Sequence, residues 1–402
     1  MTRRVWIIVA LGALTAGVLW WSSVYHGFFD SKVYSGAVHY WFRDGGMVYD
    51  WLRPGTPYGF TYPPFAGLAM APMAFLPFPL VLVVAGLATV ASTVLLTWWL
   101  VAPIVRRARW SPWFALAVAA CLALLFEPVR ETFSFGQVNT LLLALVAGDV
   151  LFGVARGKRW AGVGIGLAVA IKLTPGVFIL YLLVTRRWRA AGISIATASA
   201  ASLAAAGLYP DESREFWTAA LWDTNRVGNL EYLSNQSLRG MLARLPLDAV
   251  ESRVWIACVL VTLGLWAWRV RAAAAAGDHL GGLALTGLLG CLISPVTWVH
   301  HCVWLLPAIV RCLDAGLSDR RDRRSRWLGG AAYLVLTSRL TWLWENGPKP
   351  PLAVVGSNLY VWFSLALLIA MPLGAPTGRP RLRQPTSDPI DKAKTPDVSV
   401  AV

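Results

Sequence analysis

The stretch WAGVGIGLAVAIKLTPGVFILYLLVT, residues 160–185, decides the fold. It is apolar enough to pass as one long membrane helix, yet Arg156, Lys158 and Arg159 precede it and Arg186, Arg187 and Arg189 follow it. Basic clusters collect on the cytoplasmic side of a membrane protein, so both flanks belong on one side and an even number of crossings lies between them. Proline disfavours helical geometry in the residue before it, which puts the break at Lys172-Leu173-Thr174-Pro175. Two short helices therefore meet at a lysine recessed below the membrane surface.

Apolar runs recur from Val5 to Leu373, and a run of about 20 residues spans a hydrocarbon core of roughly 30 Å. Of the 402 residues, 57% are hydrophobic and only 14% charged, where soluble domains carry about a quarter charged residues. Mean hydropathy is +0.56. A transmembrane β-barrel would need dyad alternation, which runs such as Leu80 to Leu100 lack. The fold class is an all-α polytopic membrane protein. Applying the same parity rule throughout predicts about 12 transmembrane helices, near 5–24, 79–105, 111–126, 137–155, 160–172, 174–185, 190–208, 252–270, 279–293, 299–313, 327–344 and 353–373, with both termini cytoplasmic. The basic start and apolar body of Met1 to Ser22 lack a small-residue cleavage site, so they read as the first of these helices.

The net charge of +15 would suggest nucleic acid in a soluble protein, but Arg and Lys sit between apolar runs, so the partner is the bilayer and no nucleic acid is expected. Five cysteines, Cys121, Cys258, Cys291, Cys302 and Cys312, lie in or beside apolar runs without metal-ligand spacing. They read as packing residues. A single domain over 1–375 is expected, with outer loops at 25–64 and 209–251 and a disordered cytoplasmic tail at 376–402.

Most polar residues able to do chemistry fall on the outer side. Asp30 follows the first helix and is placed either to cap the stretch Ser31 to Phe42 or to take a proton from an amphiphilic substrate's hydroxyl. Tyr62 lies in an aromatic and proline cluster, Tyr58 to Pro64, of a kind that stacks on sugars but also populates the interface belt. Gln137 and Asn139 offer neutral donors and acceptors, or helix caps. Lys172 is a phosphate clamp or a snorkelling cation. His300 and His301, adjacent on a helix, point about 100° apart and make poor partners for one metal; a phosphate contact from one of them is more natural. Glu127, Glu131 and Glu345 are further carboxylates on this side. No HExxH, CxxC, GxSxG or P-loop pattern occurs in its expected context.

In order along the chain, Asp30-x-x-Val33-Tyr34, Asp44-Gly45-Gly46-x-x-Tyr49-Asp50, Phe60-Thr61-Tyr62-Pro63-Pro64, Gly136-Gln137-Val138-Asn139, Lys172-x-Thr174-Pro175, Asn235-Gln236-Ser237 and Ser294-Pro295-x-x-Trp298-x-His300-His301 resemble glycosyltransferase family 87. The set runs from Asp30 to about Trp304, and its order carries the resemblance. The resemblance implies the GT-C fold and a polyprenol-phosphate-mannose-dependent α-1,2-mannosyltransferase, multipass in the plasma membrane with its active site facing the periplasm. The donor would be a polyprenyl-phosphate-mannose and the acceptor a phosphatidylinositol mannoside or lipomannan.

Asp30 matches the family's first-loop aspartate, its catalytic base. Lys172, His300 and His301 would bind the donor phosphate, and Tyr62, Gln137, Asn139, Asn235, Gln236 and Trp298 the substrates. A β-linked donor giving an α product needs one inversion, hence one base and stabilisation of the departing phosphate. A monophosphate can be neutralised by such cations, so neither metal nor other cofactor is expected. The competing classes are a multipass transporter or flippase of a lipid-linked or sugar substrate and a lipid-binding scaffold. Polar residues gathered toward one face, rather than at the midplane, favour the enzyme.

Overall fold

The computed structural model of the chain describes residues 2–223, 226, 228–247, 250–319, 321–345 and 351–374. The tail expected at 376–402 lies outside the described residues. Among the described residues eighteen helices follow one another: α1 (Thr2–His26), α2 (Phe29–Phe42), α3 (Pro64–Met70), α4 (Phe78–Ala108), α5 (Pro112–Leu125), α6 (Glu127–Phe135), α7 (Asn139–Gly148), α8 (Val163–Ile171), α9 (Val177–Val184), α10 (Trp188–Leu208), α11 (Pro210–Glu215), α12 (Leu238–Ala243), α13 (Glu251–Ala275), α14 (His279–Ile293), α15 (Leu306–Ser318), α16 (Arg323–Thr337), α17 (Pro351–Gly356) and α18 (Leu359–Ala370). Short 3₁₀ or π turns extend several of them. Proline opens α3, α5 and α11, where its missing N–H costs nothing and its fixed φ suits the first helical turn.

Each of the twelve expected segments contains a helix, with breaks inside 327–344 and 353–373. By length and composition, five helices among the described residues can cross a membrane: Arg3–His26, Phe78–Ala108, Trp188–Leu208, Glu251–Ala275 and Val299–Ser318. The pair α5 and α6, bent by 69°, would make a sixth. The remaining apolar helices are shorter, because the chain breaks them at polar or proline-bearing joints.

The break at Lys172 has the geometry that charge parity requires. Lys172 is extended, at φ −149 and ψ 129, and α9 runs back toward the level at which α8 began. Directly after α9, α10 starts beside the beginning of α8: Arg189 Nη2 donates to the carbonyls of Gly157 and Lys158 at 3.1 and 2.9 Å, and Ser194 Oγ to that of Gly162 at 2.9 Å. The two basic flanks thus share one end of the molecule. A second hairpin forms where Ser294-Pro295 was expected to split the chain. Asp278 caps the start of α14 through Gly281 N at 2.7 Å and accepts from Arg311 of α15 at 3.2 Å. At the same end, Arg269 holds the carbonyls of Leu368 and Met371 and Arg107 pairs with Asp314.

Asp149, a buried carboxylate inside an apolar segment, is explained by the start of α8, at the opposite end from Lys172. Its oxygens accept from Gly162 N at 2.8 and 2.9 Å and from Ile165 N at 3.0 Å, satisfying the orphan donors at the start of α8. Asp149→Ala is expected to cost about 0.5 to 2 kcal/mol of stability, read as a lower midpoint of thermal unfolding in detergent. An unchanged midpoint would show that these N–H groups find other partners.

Away from the basic end the hydrophobic core divides. One cluster fills the helix bundle, with Leu96, Leu142, Trp266, Leu285 and Val303 fully buried. A second, built on Val33, Tyr34, Val38, Tyr49, Phe60 and Phe216, packs α2 and the loop after it against α3 and the segment after α11. The candidate site lies where these two cores meet.

Candidate active site

Asp30 sits in the first turn of α2, which begins after Phe28 at φ 52 with no side-chain cap. The capping reading therefore does not hold. Its carboxylate Oδ2 instead accepts from Gln137 Nε2 at 2.8 Å. What brings these distant residues together is Gly136. At φ +72, a Cβ there would stand 1.9 Å from Ser31 Oγ, so only glycine allows the approach. Ser31 Oγ then donates to the Gly136 carbonyl at 3.2 Å.

From Asp30 a chain of hydrogen bonds crosses to Lys172. Gln137 Oε1 accepts from Tyr62 OH at 2.8 Å, and Tyr62 OH accepts from Tyr34 OH at 3.0 Å and from Lys172 Nζ at 3.1 Å. Lys172 also donates to Asn139 Oδ1 at 3.1 Å and lies 2.9 Å from His301 Nε2. Tyr62 and Asn139 take two of the three protons of the ammonium, and the ring of His301 stands beside the third. Tyr62, Gln137 and Asn139 thus serve neither the interface belt nor a helix cap: α7 begins with no side-chain cap.

The histidines come from the turn that follows Ser294-Pro295. Thr132 Oγ1 and Asn139 Nδ2 both donate to the His300 carbonyl at 3.1 Å, fixing the segment against α6 and α7. The ring of His300 packs on Phe135 with centroids 5.3 Å apart, and its Nε2 is buried with no hydrogen-bond partner. His301 Nδ1 accepts from Trp298 N at 3.2 Å.

A cavity of about 930 Å³ opens onto this set, with Asp30, Tyr62, Gln137, Lys172, Trp298, His300 and His301 in its wall. That is near the top of the 300 to 1,000 Å³ range of small-molecule sites, room for two sugar groups at once. Burial lifts the Asp30 carboxyl to about 6, against the hydrogen bond from Gln137 and the attraction of Lys172 and Arg53. A carboxyl so poised can accept a proton near neutral pH.

Three expected substrate contacts, Asn139, Asn235 and Gln236, lie behind the wall instead. Asn235 Oδ1 accepts from Thr297 N at 2.9 Å, and Gln236 Nε2 donates to the carbonyls of Leu233 and Ser357 at 2.7 and 2.8 Å. The Asn235 amide and the backbone N–H of Gln236, which donates to the Thr297 carbonyl at 2.7 Å, hold the backbone that carries Trp298 and the histidines. Glu127 and Glu131 also face away from the cavity: Glu127 accepts from Trp342 Nε1 at 2.8 Å and Tyr360 OH at 2.7 Å, with Arg339 and Arg130 nearby. Glu345, by contrast, lines the cavity. Sequence reasoning missed Tyr34 and Thr132. Tyr34 stands four residues after Asp30 on α2, a spacing that puts both on one face, and that signal was available.

The family model of glycosyltransferase family 87 matches residues 60–295. The chain is 35% identical over 360 residues, 83% of its length and 79% of the relative's, to a polyprenol-phosphate-mannose-dependent α-(1-2)-phosphatidylinositol mannoside mannosyltransferase of Mycolicibacterium smegmatis. It is 33% identical over 400 residues, 92% of its length and 91% of the relative's, to the protein of that name in Mycobacterium tuberculosis. A polyprenol-phosphate-mannose-dependent α-(1-2)-phosphatidylinositol pentamannoside mannosyltransferase of M. smegmatis is 33% identical over 373 residues, 89% of this chain and 87% of the relative. No solved structure matches.

Proposed function

The chain belongs to glycosyltransferase family 87, and from that premise we propose that it transfers mannose from a polyprenyl-phosphate-mannose to a mannosylated glycolipid, a phosphatidylinositol mannoside or lipomannan, forming an α-1,2 linkage with inversion. The observation that carries this reading is the single cavity in which a carboxylate, Asp30, is linked through Gln137 and Tyr62 to a buried cation, Lys172. Asp30 takes the proton of the acceptor 2-hydroxyl as its oxygen bonds to C1 of the donor mannose. The C1–O bond to phosphate breaks, its electron pair leaves with the polyprenyl phosphate, and the new negative charge is met by Lys172, His300 and His301.

Both substrates carry lipid tails, which accounts for a site at one end of an apolar bundle. Purified protein incubated with labelled polyprenyl-phosphate-mannose and a phosphatidylinositol mannoside should yield a glycolipid with one more mannose. Absence of transfer, with donor merely bound or moved across a vesicle membrane, would overturn the enzyme reading in favour of a carrier.

The arginine-rich end is assigned to the cytoplasm by the positive-inside bias, which turns the cavity to the periplasm. In a background without the five native cysteines, Lys32→Cys and Thr174→Cys should react with an impermeant maleimide added outside, whereas Ala108→Cys should not. The opposite pattern would invert the orientation.

A further inference from the structure

The cavity wall is divided into two arcs. One is polar, Asp30 through Gln137, Tyr62 and Lys172 to His301. The other is aromatic and closes the circuit from the opposite direction: Phe29, next to Asp30, meets Tyr58 edge-on with centroids 5.6 Å apart, and Trp298 leads back to His301 through its backbone N–H. Between Tyr58 and Trp298 stands Gly228 at φ +114, where a Cβ would lie 3.2 Å from the indole and 3.6 Å from the phenol ring. Glycine there keeps both rings uncovered. All three residues border the cavity and are only partly buried; Arg53 covers the Phe29 ring at 4.1 Å, which leaves Tyr58 and Trp298 to meet whatever fills it, unlike belt aromatics that face lipid.

A mannopyranose chair matches such a divided wall. Its axial C3 and C5 hydrogens line one ring face, and the axial 2-hydroxyl projects from the other. Laying the C–H face on aromatic rings is favourable, as burial of apolar surface on a rigid side chain, and it turns the 2-hydroxyl across the cavity toward the polar arc. We propose that Tyr58 and Trp298 form the acceptor-sugar platform, which selects the 2-hydroxyl of a terminal mannose for transfer by stacking the opposite ring face. The proposal rests on the mannosyl-transfer reading above and adds to it the origin of the linkage position. A glucose-terminated acceptor, whose 2-hydroxyl is equatorial, would stack without presenting that oxygen to Asp30.

The test compares wild type, Tyr58→Ala, Tyr58→Trp and Trp298→Leu with a phosphatidylinositol mannoside acceptor and polyprenyl-phosphate-mannose. Tyr58→Ala should raise acceptor KM roughly 2- to 13-fold, the range of one aromatic contact, with donor Kd unmoved and Tyr58→Trp restoring the acceptor KM. Trp298→Leu should raise acceptor KM in the same way, and it carries the test if Tyr58→Ala fails to fold. Linkage analysis should show only 2-linked mannose from wild type and no transfer to the glucose-terminated analogue. Unchanged acceptor KM in both variants, or efficient transfer to the glucose analogue, would overturn the platform while leaving mannosyl transfer intact. A wild-type protein that transfers no mannose at all would instead remove the functional reading on which the platform stands.

Discussion

Asp30→Asn is expected to lower mannose transfer by about 10²- to 10⁴-fold, the usual cost of losing a general base, while the protein still folds and binds donor. Asparagine keeps an oxygen that can accept from Gln137 Nε2, so the contact between α2 and the turn at Gly136 survives. It cannot take a proton at neutral pH. The wild-type pH profile gives a second signature. Burial raises the Asp30 carboxyl to about 6, and catalysis needs the carboxylate, so kcat/KM should fall about tenfold per pH unit as pH drops below that value. The residual activity of Asp30→Asn should lack this limb. Near wild-type transfer by the variant would remove Asp30 from the base role. Glu345 would then be next, since it borders the same cavity, whereas Glu127 and Glu131 are engaged in a buried ion cluster.

Lys172→Ala should weaken polyprenyl-phosphate-mannose binding roughly 10- to 150-fold, the equivalent of a charge-assisted hydrogen bond of about 1.5 to 3 kcal/mol. In the resting site Tyr62 and Asn139 hold two protons of this ammonium, and the His301 ring lies 2.9 Å from it. Arginine is a poor replacement, because a planar fork cannot serve acceptors arranged around a point charge. Donor titration followed by tryptophan fluorescence, with Trp298 in the cavity wall, measures the effect. An unchanged donor Kd would reduce Lys172 to a structural tie between α7 and the histidine segment.

The sequence was most legible where the bilayer dictates it. Runs of apolar residues must be helical, and arginines must share a side, so the hairpins at Lys172 and at Ser294-Pro295 could be read from charge order together with the prolines. The number of crossings could not, since α8, α9 and α18 are short and packing decides how deep each lies. Glu127 to Phe135 was expected as part of a loop but forms α6, turned 69° from α5. The charge of Glu127 is met by Arg339, Trp342 and Tyr360, which come from far along the chain.

The roles of individual polar residues divided for the same reason. Asp30 could cap or catalyse on local grounds, and only the fold, which starts α2 before Asp30 and carries Ser31 to Gly136, removes the cap. Asn235 and Gln236 fall in a family motif, yet an amide can serve the backbone as readily as a sugar. Their local sequence carries no sign of which.

The hairpin at Lys172 also bears on biogenesis. At 9 residues, α8 rises about 13 Å, and the arm Thr174–Val184 about 16 Å, each roughly half of what a bilayer requires. Neither arm can be retained by a translocon as a span in its own right. They are held by α10, whose Ser194 and Arg189 grip the start of the pair. A nascent chain that has emerged only as far as Thr185 therefore has no fixed place for Lys172. Its entry into the site waits until the longer helix downstream has been made, so a lesion that delays insertion of α10 should abolish donor recognition without altering any residue the donor touches.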